Sequence, residues 1–184
     1  MDAKKVITDL ESKDKKVRAD LVKELYKTER GYVYYDLLGE LRYENNYLKK
    51  IILTKNLESV EIIAIIASVF YPGSLDYIRV DHLVESIEEQ NSKKEATELY
   101  LVLLKKCIDF LDKTTAKVGE GDPWSMGITF SYYYIKFVLE VLYKDSSEFE
   151  KIIDNIDFDN FGLFASYKGD IIKLIQQSKK ERKK

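Results

Sequence analysis

Glycine and proline are scarce in this chain, which has 8 glycines and 2 prolines among 184 residues. Sandwiches and barrels of β-strands need many tight turns, and tight turns draw heavily on these two residue types. Their scarcity therefore favours long helices joined by short connections. The length suits one domain. We expect a single all-helical domain over residues 1–178, followed by a basic, disordered tail at 179–184.

Apolar residues recur every three or four positions along most of the chain, which is the spacing of one helix face. The stretch 57–71 is nearly all apolar, and its length predicts a buried central helix rather than a strand. Asp14, and Ser92 followed by Glu95, predict helix N-caps. The helices predicted in this way cover residues 3–12, 15–28, 32–53, 57–71, 76–90, 93–115, 124–144, 146–156 and 161–178.

The charge is unevenly distributed along the chain. The net charge is −2, but the last seven residues contain five basic side chains and one acidic one, so the rest carries −6. An acidic body argues against a large surface for binding phosphates. Pairs of adjacent lysines nevertheless recur along the helices, and with the basic tail they leave nucleic-acid binding as an alternative. These pairs stand at 4–5, 15–16, 49–50, 93–94 and 105–106.

Several classes of protein are disfavoured by composition. The single cysteine, Cys107, and the single histidine, His82, rule out an intrachain disulfide, a cysteine-based zinc site and a histidine-rich metal site. No spacing brings a nucleophile, a base and an oxyanion donor together. We therefore expect a non-enzymatic protein with no cofactor and no metal. The N-terminus lacks a signal peptide and no apolar run is long enough to span a membrane, so we expect a cytoplasmic location.

Residues 10–25 resemble a HEAT repeat. That family combines a leucine that closes one helix, an acidic turn, and a Val-Arg pair that opens a second helix. The matching residues are Leu10, Asp14, Val17, Arg18, Leu21 and Leu25. A helix pair of this kind cannot bury its apolar face alone and needs neighbouring pairs. The resemblance implies stacked antiparallel helix pairs in a short HEAT- or armadillo-like solenoid, and a compact multi-helix bundle is the alternative.

A second and weaker match covers residues 53–67. It begins 43 residues after the first, which is within the repeat period of this class. Val60 then corresponds to Val17, but Glu61 replaces Arg18 and Leu57 replaces Asp14.

Residues 24–37 resemble a different family, the first conserved helix of Dbl-homology domains, which are exchange factors for Rho-type GTPases. The resemblance lies in the order Glu24-Leu25-x-x-Thr28-Glu29-x-x-Tyr32-Val33-x-x-Asp36-Leu37. It implies that Glu29 would contact the GTPase. The later sequence signature of that family is absent. An exchange factor, or a fragment of one, is therefore a further alternative.

Tyrosine is abundant, with 14 residues, and two clusters stand out, Tyr32-Val33-Tyr34-Tyr35 and Tyr132-Tyr133-Tyr134. Consecutive residues of a helix point about 100° apart, so a run of three cannot face one core. At least one tyrosine of each cluster should reach the surface, where tyrosine is a preferred anchor for protein partners. The other interpretation is half-buried packing between helices. The candidate interface consists of Tyr32, Tyr34, Tyr35, Trp124, Tyr132, Tyr133 and Tyr134.

Three basic side chains, Arg18, Arg79 and His82, form a candidate polar groove. His82 follows Asp81, which could assist a catalytic histidine, but a surface or capping role explains it equally well. The function we expect from these features is a scaffold that binds a protein partner through a groove or a tyrosine-rich face.

Overall fold

The computed structural model describes residues 3–25, 46–67, 80–113 and 123–142, with the short pieces 149, 151–152, 173–174, 176–177 and 180–181. Every regular element in this part of the chain is helical, which confirms the all-α prediction. The elements are α1 (Ala3–Leu10), α2 (Lys15–Leu25), α3 (Tyr47–Leu53), α4 (Ser59–Ala67), α5 (Val80–Gln90), α6 (Lys93–Lys113), α7 (Pro123–Phe137) and a π-helical turn (Val138–Leu142) that continues α7. The predicted helices at 146–156 and 161–178 lie mostly outside the described residues.

The prediction of one continuous helix over residues 32–53 is wrong at Asn46, although its end at Leu53 agrees with the structure. Asn46 has the left-handed backbone conformation, with φ 57° and ψ 32°. Helical residues cannot continue through this conformation, and asparagine is one of the few side chains that tolerate it. α3 therefore begins only at Tyr47.

Two of the predicted caps are present. The Asp14 carboxylate accepts a hydrogen bond from the backbone N–H of Lys16 at 2.9 Å, at the start of α2. Ser92 and Glu95 form a capping box at the start of α6, because each side chain accepts a hydrogen bond from the other residue's backbone N–H, at 3.1 Å and 3.4 Å. These bonds satisfy amide groups that the helix itself leaves without partners.

Among the described helices, α1 contacts α2, α3 contacts α4, and α5 contacts α6, and we refer to these as helix pairs; α3 also contacts α6. α4 is the most buried of these helices, because all nine of its residues are buried. This confirms the prediction of a buried central helix. α4 contacts α3, α5, α6 and α7.

α7 packs against all three pairs. Its largest contacts are with α4 and α6, and it also reaches α2 and α5. Gly127 permits the close approach to α6, because a Cβ at this position would lie 2.7 Å from Cζ of Phe110. α7 therefore covers parts of α2, α4, α5 and α6. None of the described helices is long and apolar enough to cross a membrane.

Candidate functional site

Arg18 occupies a buried position between the first two helix pairs. Its side chain is 1% exposed. Its Nε donates a hydrogen bond to Oε2 of Glu61 at 3.2 Å, and its Nη1 donates to the carbonyl oxygen of Ser12. Its Nη2 lies 3.4 Å from Oε2 of Glu58. The sequence places Arg18 in a polar groove, but the structure places it in the interior, where it joins α2 to α4.

Glu61 is the anionic partner in this contact and is only 2% exposed. Burial raises the pKa of its carboxyl group, while the charge and the hydrogen bond of Arg18 oppose that rise. Its Oε1 makes no hydrogen bond to the described atoms. The sequence gives one signal for this role, since Glu61 is the only charged residue within an otherwise apolar helix. A buried charge of that kind needs a partner.

Adjacent lysines of α3 connect the second helix pair to both of its neighbours. Nζ of Lys50 lies 3.2 Å from Oε1 of Glu11, at the end of α1. Nζ of Lys49 lies 3.0 Å from Oε1 of Glu95, in the first turn of α6. Both lysines of this predicted nucleic-acid contact are therefore engaged by carboxylates of the chain itself.

Lys106, from another of the lysine pairs, is 9% exposed. Its Nζ donates hydrogen bonds to the carbonyl oxygens of Thr54 and Ile51, the latter at 3.4 Å, and to Oγ of Ser59 at 2.8 Å. The Lys106 ammonium group therefore caps the C-terminal end of α3, where the helix dipole favours a cation. Burial lowers the pKa of Lys106 from 10.5 to about 8. Sequence alone did not distinguish it from the exposed Lys105.

Burial raises the pKa values of two ionisable side chains in the described interior, Cys107 and Tyr134. Burial raises the pKa of the Cys107 thiol to about 12, which keeps it protonated and unreactive. The Tyr134 hydroxyl donates a hydrogen bond to the backbone oxygen of Tyr100 at 3.1 Å, and burial raises its pKa as well. Among the described residues, no group of three or more His, Cys, Asp or Glu is placed to hold a metal ion.

The predicted tyrosine cluster on α7 divides between core and surface. Tyr132 and Tyr134 are buried, whereas Tyr133 is 40% exposed. Its ring packs edge-on against Tyr132, with 5.3 Å between the ring centroids. Of the other candidates, His82 is partly buried on α5, and its backbone oxygen accepts a hydrogen bond from Ser86. Outside the described part of the chain lie Tyr32, Tyr34, Tyr35, Arg79 and the side chain of Trp124.

Tyr133 belongs to an apolar strip on the side of α7 that faces away from the helix pairs. Phe137 is partly buried, and Val141, in the π-helical turn, is 49% exposed. Residues four apart lie on the same side of a helix. These three residues therefore form one strip, which we name the α7 outer face. Lys136 and Glu140 lie beside it, with 3.9 Å between their charged groups. The sequence analysis did not include Val141, although its position two steps of four residues after Tyr133 places it on the same side of a helix.

Comparison with models of protein families, with curated proteins and with solved structures finds no match to this chain. Its function is therefore inferred from geometry alone.

Proposed function

We propose that this chain is a protein-interaction module that binds its partner through the α7 outer face. The helix pairs serve as the scaffold that holds this face in place. The observation on which the proposal depends is the placement of exposed apolar side chains. Three large apolar residues are well exposed in the described part of the chain, and two of them, Tyr133 and Val141, belong to this face. The third is Leu53 on α3, which is 53% exposed.

Exposed apolar residues that share one face of a helix indicate a binding surface rather than chance exposure. Single apolar residues scattered on a surface need no explanation, but neighbouring ones often mark a site of contact with another protein. Tyrosine is also among the residues that contribute most to binding energy at interfaces. Tyr133 is held against Tyr132, so less side-chain freedom is lost when a partner orders it.

The repeat interpretation of the scaffold is part of the proposal. Arg18 and Glu61 occupy equivalent positions of the two sequence matches, 43 residues apart, and they contact each other. This contact supports stacking of the first two helix pairs in register. In this interpretation α2, α4 and α6 are the inner helices, and α7 covers them on the side where an open solenoid would offer a groove. Because α7 occupies that side, the proposed binding surface is the α7 outer face and not a groove.

The test compares substitutions on and off this face. Tyr133→Asp and Val141→Asp place a charge in the strip, and Leu53→Asp is the matched control at an exposed apolar site elsewhere. Tagged variants are used as baits in quantitative pull-downs from native lysate, with circular dichroism to verify folding. We expect partners retained by the wild type and by Leu53→Asp to fall about tenfold or more with either α7 variant. Equal recovery with all four proteins would contradict the proposal.

A further inference from the structure

The α7 outer face has the same chemical pattern when read in either direction along the helix. Tyr133 and Val141 stand four residues to either side of Phe137. Reversing the helix exchanges these two apolar ends and returns Phe137 to its own place. It also places Lys136 at the level of residue 138, about 3 Å along the axis from Glu140 and on the same side of the strip, so that a cation lies near an anion. A face of this kind is complementary to a second copy of itself.

We propose that the partner bound by the α7 outer face is a second copy of this chain, with the two α7 helices antiparallel. This inference rests on the proposed function, since it names the occupant of the same face. A two-fold axis near Phe137 would place Tyr133 against Val141 of the second copy. It would also place Lys136 near Glu140 of the second copy, and the same contact would occur again by symmetry. Isologous interfaces of this type are the commonest way in which soluble proteins form dimers.

The charges set the orientation, and the apolar strip supplies the attraction. In a parallel arrangement with two-fold symmetry the charged flanks of the two copies would lie on opposite sides of the interface, so Lys136 and Glu140 would form no ion pair between the copies. The bond between Lys136 and Glu140 within one chain is long, at 3.9 Å, and both side chains are exposed. Such pairs contribute little stability. Exchange of partners between two copies therefore costs little.

The size of the strip determines how tight the dimer is. Two well-exposed apolar side chains and one partly buried ring cover much less than the roughly 800 Å² per partner of a standard interface. We therefore expect a weak dimer in the class of transient contacts, visible at high protein concentration and dissociated on dilution.

The experiment is analytical ultracentrifugation of the full chain across a wide range of concentration, with single and paired charge reversals. Lys136→Glu gives each copy two glutamates at the charged positions, and Glu140→Lys gives each copy two lysines. Each variant alone should self-associate about tenfold more weakly than the wild type. An equimolar mixture of the two restores both cross-contacts and should associate at least as well as the wild type. Val141→Asp should weaken association, and Leu53→Asp should leave it unchanged.

Three results would overturn the inference. The first is a wild type that stays monomeric at every concentration. The second is a dimer that is insensitive to these substitutions, and the third is a pair of charge-reversed variants that fail to associate when mixed. None of these results removes the proposed function if Tyr133→Asp still abolishes capture of another protein from lysate, because the face then has a different occupant. Circular dichroism of each variant excludes misfolding as the cause of a loss.

Discussion

Arg18 and Lys106 are both long cationic side chains buried where one helix pair meets the next, yet the chain neutralises them differently. Arg18 contacts the carboxylates of Glu61 and Glu58, at 3.2 Å and 3.4 Å. Lys106 instead donates hydrogen bonds to uncharged oxygens, at the end of α3 and the start of α4. One junction therefore contains an ion pair and the other a cation held by dipoles.

The difference follows from the chemistry of the two side chains. Arginine does not lose its proton in proteins, so a buried guanidinium needs a counter-charge close by. Lysine can lower its pKa when buried, and Lys106 does so. Uncharged oxygens are therefore sufficient for Lys106 but not for Arg18. A buried arginine therefore predicts a carboxylate elsewhere in the chain, whereas a buried lysine does not.

The largest effect is expected when Arg18 loses its counter-charge. Glu61→Gln keeps the shape of the side chain but leaves a buried guanidinium without its nearest anion. Loss of one partner of a buried pair costs about 3–5 kcal/mol. We expect that loss in the free energy of unfolding, measured by urea denaturation at neutral pH. Glu58→Gln is the control, because Glu58 is partly exposed, and it should cost less than about 1 kcal/mol. Equal costs would show that Glu61 is uncharged in the folded protein.

Lys106→Met should be less damaging. The substitution keeps the apolar stem but leaves the Thr54 carbonyl oxygen without the Lys106 donor. The Ile51 oxygen still accepts from the Thr54 N–H, and the Ser59 hydroxyl still donates to Asn56. An unsatisfied polar group costs about 1–3 kcal/mol, and removal of the buried charge offsets part of that cost, so we expect a loss of about 1–2 kcal/mol in urea denaturation. Lys105→Met, at the exposed neighbouring position, should change stability by less than about 0.5 kcal/mol. A larger loss for Lys106→Met than for Glu61→Gln would reverse the comparison.

Lys106 should also differ from Arg18 because its titration makes the stability of the protein depend on pH. The pKa of Lys106 is about 8 in the folded protein and 10.5 when unperturbed. Below pH 8 both states hold the proton, and the folded state bears the cost of burying it. Between pH 8 and 10.5 the folded state releases the proton first, so the unfolded state binds more protons and stability rises with pH.

The rise is measured as the difference in unfolding free energy between the wild type and Lys106→Met. Tyrosines and Cys107 are common to both proteins, so their titrations cancel in this difference. We expect the wild type to gain relative to the variant across this window. A difference that stays constant from pH 8 to 10.5 would show that Lys106 is solvated like an ordinary surface lysine.

The features that sequence predicted well are local ones. The apolar run of α4 indicated burial, and the Ser92 and Glu95 cap was recognised because its two residues stand three apart. Such signals need only neighbouring residues. The contact between Arg18 and Glu61 is predicted only in part. The 43-residue offset aligns the two positions, but the change from Arg to Glu departs from the repeat pattern. In the structure this change supplies the opposite charge.

The features that sequence did not predict depend on contacts between distant segments. Periodicity identified α7 as a helix, but nothing local indicates that it packs across α4, some sixty residues earlier. Its exposed strip is defined only after that packing has buried Tyr132 and Tyr134. Lys106 is similar, because adjacent lysines on a helix point in different directions and only the position of α3 shows which one is buried.

The smallest effect is expected when the ion pair is replaced as a whole. Arg18→Met combined with Glu61→Leu removes both charges, so no buried group loses its counter-charge. Replacement of buried ion pairs by apolar side chains is often neutral, and we expect a stability within about 1 kcal/mol of the wild type in urea denaturation. The pair in this structure is also incompletely hydrogen-bonded, at Arg18 Nη2 and Glu61 Oε1, which limits what its removal can cost. A loss as large as that of Glu61→Gln alone would show instead that the ion pair is itself a main source of stability between the first two helix pairs.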